Sequence, residues 1–511
     1  MPTNRKKLAF DNKKYLKVQR DAILKRIKSF GGKLYLEFGG KLFDDFHASR
    51  VLPGFEPDSK LQMLLTLKDD AEIVMAVNAD DIRYNKVRND LGITYESEVE
   101  RLIDAYQAAG LYVSSVVLCF YEDNPTVKQF AQKLRKNGIK VYKHYRIVGY
   151  PQNLVSVFGS DGFQRNDYVE TTRPLVVVTA PGPGSGKMAT CLSQLYHDMG
   201  RGIKSGYAKY ETFPVWNLPL SHPVNLAYEA ATVDLADVNM IDPYHLAAYG
   251  KTATNYNRDI ETFPLLKTIF EKIYGSSPYQ SPTDMGVNMV GFAIVNDKAA
   301  CDASKQEIIR RYFQAKKNVF LGKFNDDTIV KEEALMGAVG VTVDDRPVVK
   351  ACLEKAKKCK ERVVAIELPN GKIITGKRSI LLGAPAAMLL NTLKTLGKID
   401  DSIHLISPHV VAPISDLKTG PLKKENPRIR SEEILIALAI QASSNPLAEL
   451  ALKQLPKLKG SEAHCSCILS DADLRTLTAL GINVTEEPVG YAHRLYFQKL
   501  SRKPVAPFRP L

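Results

Sequence analysis

The sequence predicts an α/β protein: a mainly parallel sheet carrying a variant P-loop, followed by a second, C-terminal α/β domain. Three observations carry that prediction. Apolar, β-branched runs alternate with segments of helical spacing, the pattern of βαβ units. The most apolar run, LVVVTA at residues 175–180, passes through a glycine-rich segment straight into a helix. Beyond residue 360 a new series of short strands opens with its own hairpin signal, Asn370-Gly371.

Each element follows from its local pattern. KLYLEF (33–38) is a strand closed by Gly39-Gly40. Residues 58–68 place Leu61, Leu64, Leu65 and Leu67 at helical spacing behind a capping Asp58. AEIVMAV (71–77) is a buried strand, and residues 96–109 form an amphipathic helix with Val99, Leu102, Ile103 and Tyr106 on one face. A strand at 112–120, a helix at 124–137 ended by Gly138, and a strand at 139–144 continue the alternation. After 175–180 come a helix at 188–199, a strand at 203–209, a strand at 287–295 and a helix at 303–315. The polar stretch NDDTIVKEE sets a boundary near residue 325, dividing the chain into 1–325 and 326–511. The second part reads as strands at 363–368 and 372–375, an apolar helix at 379–396 and a strand at 403–406. Helices at 432–442 and 447–454, a strand at 462–469, a helix at 471–480 and a strand at 482–484 complete it.

Composition bounds the function. With 511 residues, 45% hydrophobic and 25% charged, the chain has globular balance, which excludes disorder and collagen-like repeats. No stretch approaches the ~18 apolar residues of a membrane span, and the basic N-terminal segment lacks the apolar core of a secretory signal. Seven cysteines, odd in number and mostly isolated, fit a reducing compartment, so a cytoplasmic setting is expected. The net charge of +14 sits at the ends: residues 1–33 hold eleven Lys/Arg against Asp11 and Asp21, and residues 490–511 hold five against no acid. With no zinc-finger spacing and no aromatic-interleaved basic strand, these ends read as solvated. Nucleic acid and membrane are not expected partners; a small-molecule substrate is, and a homo-oligomer is compatible.

The chemistry is concentrated after residue 180. Pro181-Gly182-Pro183-Gly184-Ser185-Gly186-Lys187 joins a buried strand to a helix. Glycines let successive N–H groups converge on an anion, the helix N-terminus adds partial positive charge, and Lys187 can reach outer phosphate oxygens. Against G-x-x-x-x-G-K-[ST], Pro181 occupies the first glycine position and Met188 replaces the hydroxyl that holds magnesium. Thr190 can substitute only with altered geometry. Gly182, Gly184, Ser185, Gly186, Lys187 and Thr190 are therefore the expected contacts to ATP or another phosphorylated ligand, with Mg as the accompanying ion. A glycine-rich structural connection is the alternative.

The strings PGPGSGKMATCLSQLYHD, YLEFGGKLFDDFHASRVLPGFEPDSK and SPTDMGVNMVGF, with the segment from Gly206 to His245, resemble the bacterial family called domain of unknown function 1846. The resemblance spans nearly all of the chain and implies an ATPase-like, phosphate-binding N-terminal part and a separate C-terminal domain. The segment order is also similar to dethiobiotin synthetase and formate–tetrahydrofolate ligase. That analogy makes Lys209 a second phosphoryl-binding cation, with Glu211 or Asp242 as a magnesium ligand.

Other candidates cluster at strand ends, where open α/β sheets bind ligands. Lys41 and Arg50 can fix an anionic substrate, and His47 can move a proton. His222, Asp284 and Asn288 lie in polar loops, where turn chemistry is the alternative. Asn78, Asp80 and Asp81 either ligate magnesium or cap a turn. Glu462 and His464 share one strand face and Cys465 and Cys467 the other, without zinc spacing. The expected function is an ATP-dependent ligase or phosphotransferase acting on a small anionic metabolite. The alternatives are a binding protein without turnover, and an enzyme whose loop grips an already phosphorylated substrate.

Overall fold

The computed structural model describes residues 8–39, 42–88, 92–235 and 237–490. The chain divides into two compact units, Leu8–Ser304 and a second that begins at Lys305.

The first unit is built on β1 (Leu34–Phe38), β2 (Ala71–Asn78), β3 (Tyr112–Tyr121), β4 (Lys140–Tyr145), β5 (Leu175–Thr179) and β6 (Gly206–Tyr210). A small antiparallel pair, β7 (Asn239–Ile241) and β8 (Thr254–Tyr256), precedes the short β9 (Gly286–Val287). The main sheet has the order β4-β3-β2-β5-β1-β6-β9, and every pairing is parallel. Its strands read as nearly unbroken apolar runs because both faces are covered. Leu34, Leu36 and Phe38 of β1 point to one face, packed by the helices Asn12–Ser29, Ser59–Leu65, Tyr95–Ala108 and Pro125–Lys136. Tyr35 of β1, Val176 and Val178 of β5 and Tyr207 of β6 point to the other, packed by Lys187–Gly200 and Asn257–Tyr274.

This order creates a reversal at the centre. From β1 the chain moves outward through β2, β3 and β4, then returns through β5 to the slot between β2 and β1 before building β6 on the far side. The connection leaving β1 runs over one face, and the one leaving β5 runs over the other. The loops after these neighbouring strands therefore diverge at the carboxyl edge, the position where such sheets accommodate ligands.

The second unit contains β10 (Val363–Glu367), β11 (Ile373–Lys377), β12 (Glu462–Cys465) and β13 (Asn483–Glu486), in the order β11-β10-β12-β13. β10 and β11 form the antiparallel hairpin expected from Asn370-Gly371, with Gly371 at φ +81°. The helices Ala384–Gly397, Ser431–Ala442 and Pro446–Leu452 bury Leu389, Leu393, Ile434, Leu438 and Ala448 against one face. On the other face Val348 and Cys352 of Pro347–Cys359 pack on Val363 and Ala365.

Four sequence readings require correction. The strand expected at 287–295 ends at Val287, because Asn288 folds its side chain onto Thr212 O, Pro214 O and Val290 N, and the Met289 N–H is taken by Gln19. Residues 403–406 form no strand: Leu405 and Ile406 are buried side-on ahead of the helix Pro408–Thr419. The strand at 462–469 stops at Cys465, after which Ser466 turns back onto Val363. The basic segment near the N-terminus, read only as charge, contains an 18-residue helix, Asn12–Ser29, that buries Tyr15, Gln19, Ile23 and Ile27. Among the described residues no helix is long and apolar enough to cross a membrane.

Candidate functional site

The glycine segment follows β5 in the centre of the carboxyl edge. Gly184 (φ +69°) and Gly186 (φ +89°) both adopt the left-handed conformation, and Gly186 starts the helix Lys187–Gly200. A Cβ at Gly186 would lie 2.8 Å from Cys119 Sγ, and one at Gly182 would lie 2.8 Å from the Tyr95 hydroxyl. Glycine is therefore demanded twice at Gly186, by dihedral and by space. The loop is braced from within by the Ser185 hydroxyl, which donates to Gly182 O at 2.8 Å, and from outside by Arg88 Nη1, which donates to Pro181 O at 2.7 Å. Arg88 is itself held by Glu98 at 2.7 Å. Lys187 makes no ion pair among the described residues. Thr190 is buried one turn into the helix, its hydroxyl 3.4 Å from Cys119 Sγ. That hydroxyl faces the sheet, so it does not replace the one missing at Met188.

Two strands away, on the same sheet face, a buried ionic cluster surrounds Lys209. β6 places Lys209 beside Glu37 of β1, and Glu37 accepts a hydrogen bond from the Tyr207 hydroxyl at 2.7 Å. The Lys209 ammonium donates to Asp259 Oδ2 and to the Tyr256 hydroxyl, and lies 3.0 Å from Glu211 Oε1. Burial alone would lower the Lys209 pKa, but Asp259, Tyr256 and Glu211 outweigh it and hold the ammonium firmly charged. Burial pushes Glu211 up to about 7; Lys209 pulls it down and the Asp259 carboxylate opposes that pull. Gly286 makes room for this carboxylate, since a Cβ there would stand 2.7 Å from Glu211 Oε2. The loop and the cluster share an electrostatic environment: burial raises the Cys191 thiol, Glu37 raises it further and Lys187 lowers it.

Asp259 and Tyr256 had no sequence signal. They come from the segment beginning at Thr254, about fifty residues beyond Lys209, and only the docking of Asn257–Tyr274 on the sheet brings them in.

The remaining candidates lie in different surroundings. His47, in Phe46–Val51, stands edge-on to Phe213 at 5.2 Å and to Tyr228 at 6.1 Å. Tyr228 in turn feels the charges of Lys209 and Glu211, so His47 borders the cluster through one ring. Arg50 is half-buried in the same short helix. Lys41 lies outside the described residues. Asp284 accepts from the Tyr249 hydroxyl at 2.8 Å and from Gln280 N at 3.0 Å, in a separate group with His245 and Ser281. There Ser281 Oγ and Asp284 both approach Nδ1 of His245, at 3.1 and 3.8 Å, so no nucleophile–base–acid relay forms. Asn288 has its amide fully engaged in bracing residues 212–214.

His222 caps the helix Pro223–Ala231, its Nδ1 accepting from Val224 N at 3.2 Å. Its Nε2 lies 2.9 Å from Asp297 Oδ1 and 3.6 Å from Cys301 Sγ, a convergence of metal-ligand types. The cap leaves the proton on Nε2, however, where a metal would need a lone pair. The trio is satisfied as a hydrogen-bonded latch. Asn78 caps the next turn through Asp80 N, while Asp80 pairs with Arg146 and Asp81 with Lys86. In the second unit Glu462 is committed to Arg310 and Arg346, at 2.9 and 2.8 Å, and His464 to Thr485 and Glu487.

A doubly covered parallel sheet with a braced glycine turn and a buried ionic cluster at its carboxyl edge defines an α/β protein of the doubly wound class. Residues 8–340 match the family described as Domain of unknown function DUF1846, N-terminal, and residues 344–496 match its C-terminal counterpart. The chain belongs to this family, also called UPF0371. It is 56% identical over 491 residues to UPF0371 proteins of Streptococcus pyogenes serotype M5 (strain Manfredo) and serotype M18 (strain MGAS8232), covering 96% of this chain and 99% of each relative. The UPF0371 protein of Streptococcus equi subsp. zooepidemicus (strain H70) is equally similar, with 98% of its length covered.

Proposed function

We propose that residues 182–187 grip the phosphate of a phosphorylated small molecule, and that Glu211, set by Lys209 and Asp259, handles a proton on the same ligand. The observation that carries this reading is the glycine turn at the sheet's reversal point: two left-handed glycines open the N-terminus of a 14-residue helix beside a lysine with no ion pair among the described residues. A carboxylate pushed up to about 7 is suited to giving or taking a proton near neutrality. Lys209 is already engaged by three acceptors, so it acts as the fixed charge that sets Glu211 and not as a free phosphoryl-binding cation.

Between an ATP-dependent ligase or phosphotransferase and an enzyme that clamps a phosphorylated substrate, the second is favoured. Met188 stands where a magnesium-binding hydroxyl belongs, and Thr190 faces Cys119. The test is calorimetric titration of the full chain with inorganic phosphate, a panel of sugar phosphates, and ATP with and without magnesium. Sugar phosphates should bind, and K187A should lose at least tenfold in affinity while keeping its circular dichroism. Magnesium-dependent ATP binding would restore the ligase reading. Equal affinity of wild type and K187A would remove the loop from the site.

A further inference from the structure

We infer that Cys465 and Cys467, in the second unit, form a redox-active dithiol that closes reversibly to an intramolecular disulfide. The two residues are two apart at the end of β12 and share one face, which brings their sulfurs to 3.8 Å, essentially van der Waals contact. The residue between them is pinned. Ser466 N–H donates to Val363 O at 3.0 Å, and its hydroxyl oxygen accepts from Val363 N at 3.0 Å. This double bond to the neighbouring strand holds the turn so that both thiols stay on the opposite side, facing one another. Two thiols that only filled space would need no such juxtaposition.

The pair is also chemically asymmetric. The hydrogen bond from the Cys465 thiol, with a smaller contribution from Arg362, brings Cys467 down to about 7; burial and Glu486 oppose this. Cys465, buried and donating toward Cys467, is held well above the ordinary thiol range. The remaining thiol nearby, Cys352, donates to Val363 O at 3.2 Å and is pushed up to about 12 by burial, which leaves it protonated. Cys467 is thus the attacking group and Cys465 the resolving one.

The co-reactant is a low-molecular-weight disulfide. The Cys467 thiolate attacks one of its sulfurs, that S–S bond breaks, and one thiolate leaves, giving a mixed disulfide on Cys467. The leaving thiolate takes up the Cys465 proton. The Cys465 sulfur then attacks Cys467 Sγ and expels the second small thiolate, which takes a proton from solvent. Two protein thiols are oxidised and one small disulfide is reduced to two thiols, with one proton drawn from solvent because Cys467 begins as the thiolate. Both sulfurs are nearly fully buried. Entry therefore requires opening of the adjoining contacts, Ile468 N to Val489 O at 3.0 Å and Arg362 Nη2 to Gly490 O at 2.8 Å.

The experiment is equilibration of the full chain with oxidised glutathione, acid quench, alkylation and tryptic mass spectrometry. Both cysteines fall in the single peptide of residues 460–475, between Lys459 and Arg475. The expected result is a peptide two hydrogens lighter than the reduced, unalkylated form, restored by dithiothreitol. C465S should accumulate glutathione on Cys467, whereas C467S should leave Cys465 unmodified. Complete alkylation of both cysteines in the wild type overturns the inference, and so does a wild-type glutathione adduct on Cys467 that never resolves. The outcome is independent of the phosphate loop, which lies in the other unit.

Discussion

At the scale of single residues, charge in the interior is set by who the neighbours are. Lys209 is tolerated deep against the sheet because Asp259, Tyr256 and Glu211 converge on it. Removing it leaves buried carboxylates without a cation, a loss on the order of 3–5 kcal/mol. The sign of the pH dependence follows. Glu211 is raised to about 7 when folded, so its folded form keeps a proton that the unfolded chain gives up above the usual carboxylate range. Stability from this group is full at low pH and is lost as pH rises through that window. K209M raises Glu211 further and widens the window, so urea unfolding should show a larger deficit at pH 8 than at pH 5.5. An equal deficit at both values would mean that Lys209 does not set Glu211. Glu332 gives the same sign in the second unit. It is buried, its Oε2 has no hydrogen-bond partner among the described residues, and burial pushes it up to about 9. E332Q should make the protein more stable from about pH 6 upward, removing a slope of up to about 1.4 kcal/mol per pH unit. A variant no more stable than the wild type at pH 8 would refute this.

At the scale of elements, the glycine turn separates two effects that sequence spacing merges. Gly184 and Gly186 both have positive φ, but a Cβ at Gly184 meets open space whereas one at Gly186 strikes Cys119. G184A should cost about 1 kcal/mol, the left-handed penalty alone. G186A should cost about 2–4 kcal/mol, because overpacking is added. Denaturant midpoints of the two variants would check the difference; equal costs would mean that Cys119 yields freely. Elements were legible in the sequence wherever periodicity and burial agreed. Residues 71–77, 112–120 and 175–180 are strands buried on both faces, and the helix at 96–109 carries a clean apolar stripe. The failures have a common cause. Residues 288–295 and 403–406 bury Val290, Ala293, Leu405 and Ile406, but apart from one bridge between Ile294 and Phe10 their backbone groups are held by side chains and turns and not by a sheet strand. Apolarity fixes burial, and pairing needs a partner that no local pattern reveals.

At the scale of the whole molecule, the arrangement of strands turns a local motif into a candidate site. A ligand held by the reversal point stabilises the fold by mass action: inorganic phosphate at about one hundred times its wild-type dissociation constant should add about 2.7 kcal/mol to the wild type and at most about 1.4 kcal/mol to K187A. The sequence by itself determined the class of fold, the alternation of strands and helices, the hairpin at Asn370-Gly371 and the strand–glycine–helix junction. These are matters of local propensity and of which residues must leave water. It also offered Lys209 and Glu211 as candidates, through the segment order shared with variant P-loop ligases. Only the tertiary structure decided that β5 lies between β2 and β1, and that Tyr256 and Asp259 close around Lys209. It also engaged the amide of Asn288 and the imidazole of His222 as braces, and set the two sulfurs of Cys465 and Cys467 against each other. Those outcomes depend on long-range pairing and on which buried polar groups find partners, and such partners are contributed by segments far apart along the chain.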